Sequence, residues 1–385
     1  MAARTTWQPT SGSQNKTNGR RALPLHIGKR PAAHKNIKTM KEIFKYTMAP
    51  MLVAAAFSLA ACDTDVEPVD INEPGIAGQN PDLYASYLAN LKAYKASNHK
   101  VVFGWFDNSA KRPASQGQTI AAVPDSLDYL VVTTPDSLTG QEMYQVRNLK
   151  EQKAISTLYE ISFATIREAY DAEKQAFDED TTENKGTFQG FNSYLVGKMQ
   201  DQLAYCQKYD FDGIVFSFTA LTKIYMTEDE KTEWLGYEND FLGIAKDWAG
   251  RNADRTLILS GLPQNVSDQS VFALARYIIV PCEASTNEGA VTYNMVKASV
   301  GGVPTEKLLP MVRLYSLDET DVKTGFWGTQ YAAIGAAKWV ASDHVGLAPA
   351  AGLALRDIAN DYYHASFVYP TVRQAISIIN PTVKE

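Results

Sequence analysis

The residues most open to a chemical reading lie in one stretch, Tyr209-Asp210-Phe211-Asp212-Gly213-Ile214-Val215-Phe216-Ser217-Phe218-Thr219. An aspartate turn leads into an apolar run too short for a helix and rich in β-branched and aromatic residues, the pattern of a buried strand. Side chains alternate along a strand, so Val215, Ser217 and Thr219 share one face and Ile214, Phe216 and Phe218 the other. The first face offers two hydroxyls and a hydrocarbon, groups that bond or pack but do not transfer a proton near neutral pH. Carboxyl groups that could act as general acid and base stand elsewhere, at Glu160, Glu283 and Asp357. Such work requires two of them about 5–9.5 Å apart across one cleft. No metal or cofactor is expected. His99, His344 and His364, with Cys206 and Cys282, are scattered without ligand spacing. Asp178-Glu179-Asp180 with Glu183 lacks the glycine and spacing of a calcium loop.

These residues need a scaffold, and the chain alternates strand-like and helix-like segments. Strands are predicted over Lys100 to Phe106, Leu127 to Thr133, Ala154 to Tyr159, Gly213 to Phe218, Thr256 to Ser260, Tyr277 to Val280, Pro310 to Tyr315 and Gly352 to Ile358. Asn80-Pro81 caps a first helix whose apolar face is Leu83, Tyr84, Tyr87, Leu88, Leu91 and Tyr94. Helices follow over Phe163 to Phe177, Tyr194 to Cys206, Tyr293 to Val300, Trp327 to Val340 and Thr371 to Ile379. Another starts at the capping box of Thr227 and Glu230 and buries Trp234, Tyr237, Phe241, Ala245 and Trp248. Eight strands, each followed by a helix, predict an α/β fold, a (β/α)8 TIM barrel in one domain over 80–385. An open doubly wound sheet is the alternative, but no Gly-rich phosphate turn follows the first strand. The chain has 385 residues and net charge −6, which argues against a nucleic-acid partner. The two cysteines of the domain read as buried free thiols.

Residues 1–39 are polar and basic and read as a disordered leader or a start assigned too early, with Met40 a second start. From 40 to 61 the chain reads as a signal peptide, with Lys41 and Lys45 ahead of an apolar run too short for a comfortable span. Leu59-Ala60-Ala61-Cys62 resembles a bacterial lipobox, which implies acylation of Cys62 and attachment to a membrane by lipid anchor only. Residues 62–79 form an acidic tether carrying Asp63, Asp65, Glu67, Asp70 and Glu73. Acids just behind a lipidated cysteine resemble the export signal of surface lipoproteins, which implies a location at the outer membrane, facing the cell exterior; the alternative is an ordinary solvated linker.

The central stretch resembles the fourth barrel strand of glycoside hydrolase family 18, the chitinase and endo-β-N-acetylglucosaminidase family. The family signature is Asp-Gly-x-Asp-x-Asp-x-Glu. Asp212 and Gly213 match it, while Val215, Ser217 and Thr219 stand where the three acids should be. Family members cleave beside N-acetylglucosamine with help from the sugar's own acetamido group, and need one carboxylic acid to protonate the leaving oxygen. The family's tyrosine near the sixth strand is also not evident at Val280-Pro281-Cys282-Glu283. The ending Gly352-Leu353-Ala354-Leu355-Arg356-Asp357-Ile358 with Tyr369-Pro370-Thr371-Val372-Arg373 resembles family-18-like surface lipoproteins encoded beside glycan importers.

The resemblance implies a catalytically emptied barrel that captures N-acetylglucosamine-containing oligosaccharides beside a TonB-dependent importer. The alternatives are an active hydrolase with a relocated acid and a structural subunit with no ligand. Glycan-contacting candidates, placed at the carboxyl ends of the strands, are Trp105, Asp107, Tyr159, Glu160, Gln264, Asn265, Glu283, Tyr315, Trp327, Asp357 and Tyr362. Trp327 is expected to be exposed for stacking. Trp105 and Tyr159 read equally as packing, and Asp357 equally as a partner for a basic group.

Overall fold

Eight parallel strands close into a ring because every strand pairs in register with two neighbours, and no edge is left open. They are β1 (Val101–Phe106), β2 (Tyr129–Val132), β3 (Ser156–Ser162), β4 (Gly213–Phe218), β5 (Thr256–Gly261), β6 (Tyr277–Pro281), β7 (Leu308–Arg313) and β8 (Gly352–Arg356). Around the ring the order is β1-β8-β7-β6-β5-β4-β3-β2. The computed structural model describes residues 76–182, 185–364 and 367–381, within a unit spanning 74–385. The leader, the signal segment, Cys62 and the tether as far as 75 lie outside the described residues, as does Glu183.

Helices α1 (Pro81–Ala96), α2 (Gly140–Lys153), α3 (Phe163–Glu179), α4 (Phe191–Lys208), α5 (Glu228–Arg251), α6 (Glu288–Ala298), α7 (Ala332–Ala341) and α8 (Pro370–Ile379) flank the ring. The fold is the expected (β/α)8 barrel. Strand alternation divides the apolar residues into two cores. Phe103, Trp105, Tyr129, Val131, Leu158, Val215, Ile258, Ile279, Leu309, Met311 and Ala354 fill the inside. Ile214, Phe216 and Phe218 point outward into the layer between sheet and helices. The thiols of Cys206 and Cys282 are buried and free, and burial pushes them up to about 11 and about 12, which makes both poor nucleophiles.

Asp212-Gly213 has a structural duty at the floor of the barrel. Asp212 Oδ2 accepts the Thr157 N–H of β3 at 2.8 Å, its own N–H donates to the Thr157 carbonyl at 2.8 Å, and Oδ1 meets Lys150 Nζ of α2 at 2.6 Å. One side chain thereby extends the β3–β4 ladder and ties a helix to it. A Cβ on Gly213 would stand 2.0 Å from the Thr256 carbonyl oxygen, so only glycine lets β5 start there. Asp128 repeats the device between β1 and β2: Oδ2 accepts the Val102 N–H at 2.8 Å and Oδ1 faces His99 Nε2 at 2.9 Å.

Several expectations need correction. The helix placed at 293–300 is α6, which begins earlier because the Asn287 side chain accepts the Ala290 N–H at 3.0 Å and caps it. The helix placed from Trp327 starts at Ala332. Gly328, at φ 63, instead turns the chain into a two-stranded ribbon of Phe326–Trp327 with Gln330–Tyr331. The apolar face of α1 is largely unburied, with Leu83 66% and Tyr87 44% exposed and Leu91 alone in the core.

Two outcomes test this account. Asp212→Ala strands the Thr157 N–H at the floor and should cost about 1–3 kcal/mol in urea unfolding; an unchanged midpoint would contradict the clamp. The His99 ring is held above its usual pKa, chiefly by the Asp128 hydrogen bond. Its contribution to stability is therefore full below about pH 6.5, the unfolded value, and fades as pH rises through the raised folded value. The stability gap between the protein and His99→Asn should accordingly narrow from pH 5.5 to pH 8.5, and a constant gap would refute the pairing.

Candidate functional site

The carboxyl ends of the strands surround an open pocket of about 620 Å³. Its walls follow from the same alternation that fills the barrel. On β4, Val215 sits fully buried inside, and Ser217 and Thr219 continue that face upward into the pocket, Thr219 at the exposed rim. Ser162, Ser217 and Ser260 are register partners across β3, β4 and β5 and form a band of hydroxyls at one level. Ser162 is occupied in capping α3, accepting the Thr165 N–H at 3.2 Å. The Ser260 hydroxyl is buried without a partner.

Across the mouth lies a charged cluster. Arg356, the last residue of β8, donates through Nη2 to both oxygens of Glu160 on β3, at 3.1 Å each. Its Nε is 3.0 Å from Glu283 Oε1, but that N–H is aimed off the oxygen and makes no hydrogen bond, so Glu283 contributes as a charge. Trp105 Nε1 donates to Glu160 Oε2 at 2.8 Å, and the guanidinium lies over the indole, 5.2 Å from the ring centroid. Glu160 therefore accepts three hydrogen bonds, two from Arg356 and one from Trp105. Asp136, on the loop after β2, also lines the pocket; its carboxylate accepts the adjacent Ser137 hydroxyl at 2.9 Å.

Of the residues singled out from the sequence, the pocket brings together Trp105, Glu160, Ser217, Thr219 and Glu283. The others have different surroundings. Tyr159 points outward, is fully buried, and donates its hydroxyl to the Gln202 carbonyl at 2.8 Å. Trp327, expected to be exposed, is 7% exposed, because Gly335 of α7 has no Cβ to block its ring. Asp357 meets Arg313 Nε at 3.2 Å and not Arg356. Tyr315 donates to Asp361 at 3.1 Å, and Tyr362 packs over Gly117 and against Tyr369. Asp107 accepts the Ser109 N–H at 2.8 Å, and Asn265 donates to the Ala220 carbonyl at 2.9 Å. Gln264 has its Oε1 buried and unpartnered beside β5, outside the pocket walls.

Sequence reasoning missed Arg356, Ser260 and Asp136 as pocket residues. Alternation from Ala354 predicts Arg356 inside, and alternation from Ile258 predicts Ser260; both signals were readable in the strands. Asp136 sits on a loop, where no period exists to place it. Among the described residues no group of three or more His, Cys, Asp or Glu side chains is placed to hold a metal ion.

A closed parallel barrel with a polar pocket at the carboxyl ends of its strands is a (β/α)8 fold, whose sites lie in general at that end. The sequence model described as "Glycoside hydrolase family 18, BT1044-like" matches residues 64–378, and the chain belongs to that family. A comparison with curated proteins gives no match. Among solved structures, the chain resembles a selenomethionine, glutamate-to-glutamine variant of BT1044 at 16% identity and TM-score 0.53, covering 79% of this chain and 95% of that one. It also resembles the apo endo-beta-N-acetylglucosaminidase of Cordyceps militaris at 15% identity and TM-score 0.53, covering 77% and 96%. A double mutant of the Cordyceps militaris enzyme, in complex with fucosyl-N-acetylglucosamine-Asn, matches at 17% identity and TM-score 0.50, covering 76% and 95%. These likenesses show the fold.

Arg356→Met tests the cluster. It leaves Glu160 and Glu283 without their shared cation and should cost about 1–3 kcal/mol, less than a fully buried pair because the pocket is open to water. Glu160→Gln keeps an acceptor for the Trp105 N–H and should cost less. Equal unfolding midpoints for Arg356→Met and the unaltered chain would contradict the cluster's role.

Proposed function

We propose that this protein is a glycan-binding member of its family that captures N-acetylglucosamine-containing oligosaccharides at the outer membrane without cleaving them. The observation that carries the reading is the inner face of β4. At the three levels where the family signature has acids, the barrel interior and mouth present Val215, Ser217 and Thr219. A threonine hydroxyl at the rim does not protonate a leaving glycosidic oxygen, and loss of a general acid alone costs about 10²- to 10⁴-fold. The pocket nevertheless retains groups that sugar recognition uses: the Ser217 and Thr219 hydroxyls and the oxygens of Glu160, Glu283 and Asp136, with the buried Trp105 indole behind them holding Glu160 in place. Sugars present hydroxyls to such acceptors.

The lipid anchor at Cys62, the cell-surface location and delivery to a TonB-dependent importer belong to the same reading. They are supported by the lipobox-like segment and the acidic tether, whose acids would also keep the barrel clear of a negatively charged surface. The likeness to an endo-beta-N-acetylglucosaminidase solved in complex with fucosyl-N-acetylglucosamine-Asn supports the ligand class.

A second reading, hydrolysis through a relocated acid, draws on the carboxylates of Glu160, Glu283 and Asp136 within one pocket. The ion pairing of Glu160 and Glu283 with Arg356 weighs against it.

The test is an array of N-acetylglucosamine-containing glycans scored for retention and for product in the same samples. Retention without product is expected, with affinity falling about tenfold or more in Asp136→Ala, which removes a pocket carboxylate without touching the barrel interior. Product formed by the unaltered chain and lost in Glu160→Gln, Glu283→Gln or Asp136→Asn would establish the second reading. Neither retention nor product would reject both.

A further inference from the structure

The opposite end of the barrel carries a second cavity, of about 530 Å³, unconnected with the mouth. It opens between the last turn of α1 and the first residues of β1, β2, β3 and β6. Between it and the mouth lie the packed interior side chains Val131, Leu158, Val215 and Ile279. Its wall is dominated by cations. Lys92 and Lys95 stand three residues apart on one face of α1, Arg276 immediately precedes β6, and His99 lies two residues before β1.

Asp128 is the one acid in this wall, and both of its oxygens are occupied, by the Val102 N–H at 2.8 Å and by His99 at 2.9 Å. Lys92, Lys95 and Arg276 have no carboxylate within ion-pair distance among the described residues. Among the described residues the Lys95 ammonium donates to the Leu127 carbonyl alone, and burial pushes it down to about 8.

The back of the cavity is aromatic. Phe103 and Tyr129 stack at 4.3 Å and 12°, and Tyr277 meets both rings edge-on at 5.9 and 6.0 Å. Arg276 lies against Tyr277, 5.8 Å from its centroid. This plug is a low-polarity wall that strengthens any ion pair formed in front of it. Of these cations Lys95 is the one held partly out of water, at a cost that a bound anion would offset. The concentration of positive charge here does not follow the chain as a whole, whose net charge is −6.

We propose that the floor cavity binds a tetrahedral oxyanion, phosphate or sulfate, held by Arg276 and Lys95 with Lys92 at the entrance. The planar guanidinium offers paired N–H donors to two anion oxygens. The Lys95 ammonium has donors beyond the one given to Leu127, since –NH3+ carries three. The phenol hydroxyls of Tyr129 and Tyr277 supply further donors at the back. An anion bound there would tie α1 to the starts of β2 and β6, so its effect is on the barrel floor and not on the sugar pocket.

The experiment is thermal unfolding of the full chain at pH 7, titrated with inorganic phosphate or sulfate, and with chloride at matched ionic strength. A saturable rise in Tm with phosphate or sulfate and none with chloride is expected. Arg276→Gln and Lys95→Met should each weaken the apparent affinity by about 10- to 100-fold, the worth of one charge-assisted hydrogen bond. Glycan retention at the mouth should be unchanged in both. If Lys95→Met does not fold, Arg276→Gln, whose side chain is exposed at the cavity edge, decides the matter. An equal response to chloride, or a phosphate and sulfate response unaltered by Arg276→Gln, would overturn the proposal.

Discussion

Everything in this molecule depends on the two-residue period of a strand locked into a closed ring. Once β4 is paired with β3 and β5 over its whole length, residue 215 must face inward, and 217 and 219 must follow it toward the mouth. A slip of one residue would drive Phe216 and Phe218 into the pocket and Val215 into the helix layer. The aspartate clamps at the floor, Asp212 and Asp128, prevent such a slip by bonding the second residue of the preceding strand from both sides. The half of the family signature kept in this chain is therefore the half that builds the barrel. The half that is changed is the half that faces the barrel interior and its mouth.

The mouth then acquires its character from a single cation. Arg356 stands between two carboxylates from β3 and from the end of β6, and covers the indole of β1, so four separate strands meet through one guanidinium. In an active-site acid the useful state is a proton held ready for a leaving group. Here Glu160 accepts from both Trp105 and Arg356, and its oxygens are used to hold the mouth in shape. A pocket organised in this way offers acceptors held in fixed positions by their own partners.

Most of the architecture was legible in the sequence because it rests on local periods. The number and order of the eight strands follow from β-branched and aromatic runs bounded by turn residues, and β4 matches to the residue, whereas β3 starts two residues later and β7 two residues earlier than those runs predict. What escaped reading has physical causes. The start of α6 was set by the Asn287 cap, a polar signal in a loop, and the ribbon before α7 by a positive φ at Gly328. Trp327 looked like an exposed platform until the bare Gly335 opposite it is considered, a pairing visible only in three dimensions. The site was half legible. Trp105, Glu160 and Glu283 were found from strand ends, whereas the convergence of Glu160 and Glu283 on Arg356 is a product of ring closure that no linear pattern encodes.

The central claim is that β4 has lost its proton donor while the site around it remains formed. The direct measurement is mass-spectrometric detection of cleavage of a glycan with a chitobiose core, comparing the unaltered chain with Ser217→Asp/Thr219→Glu, which returns acids to the pocket face. The account predicts no product from the unaltered chain at long incubation and measurable product from the double variant. Turnover by the unaltered chain that persists in Thr219→Ala would contradict it.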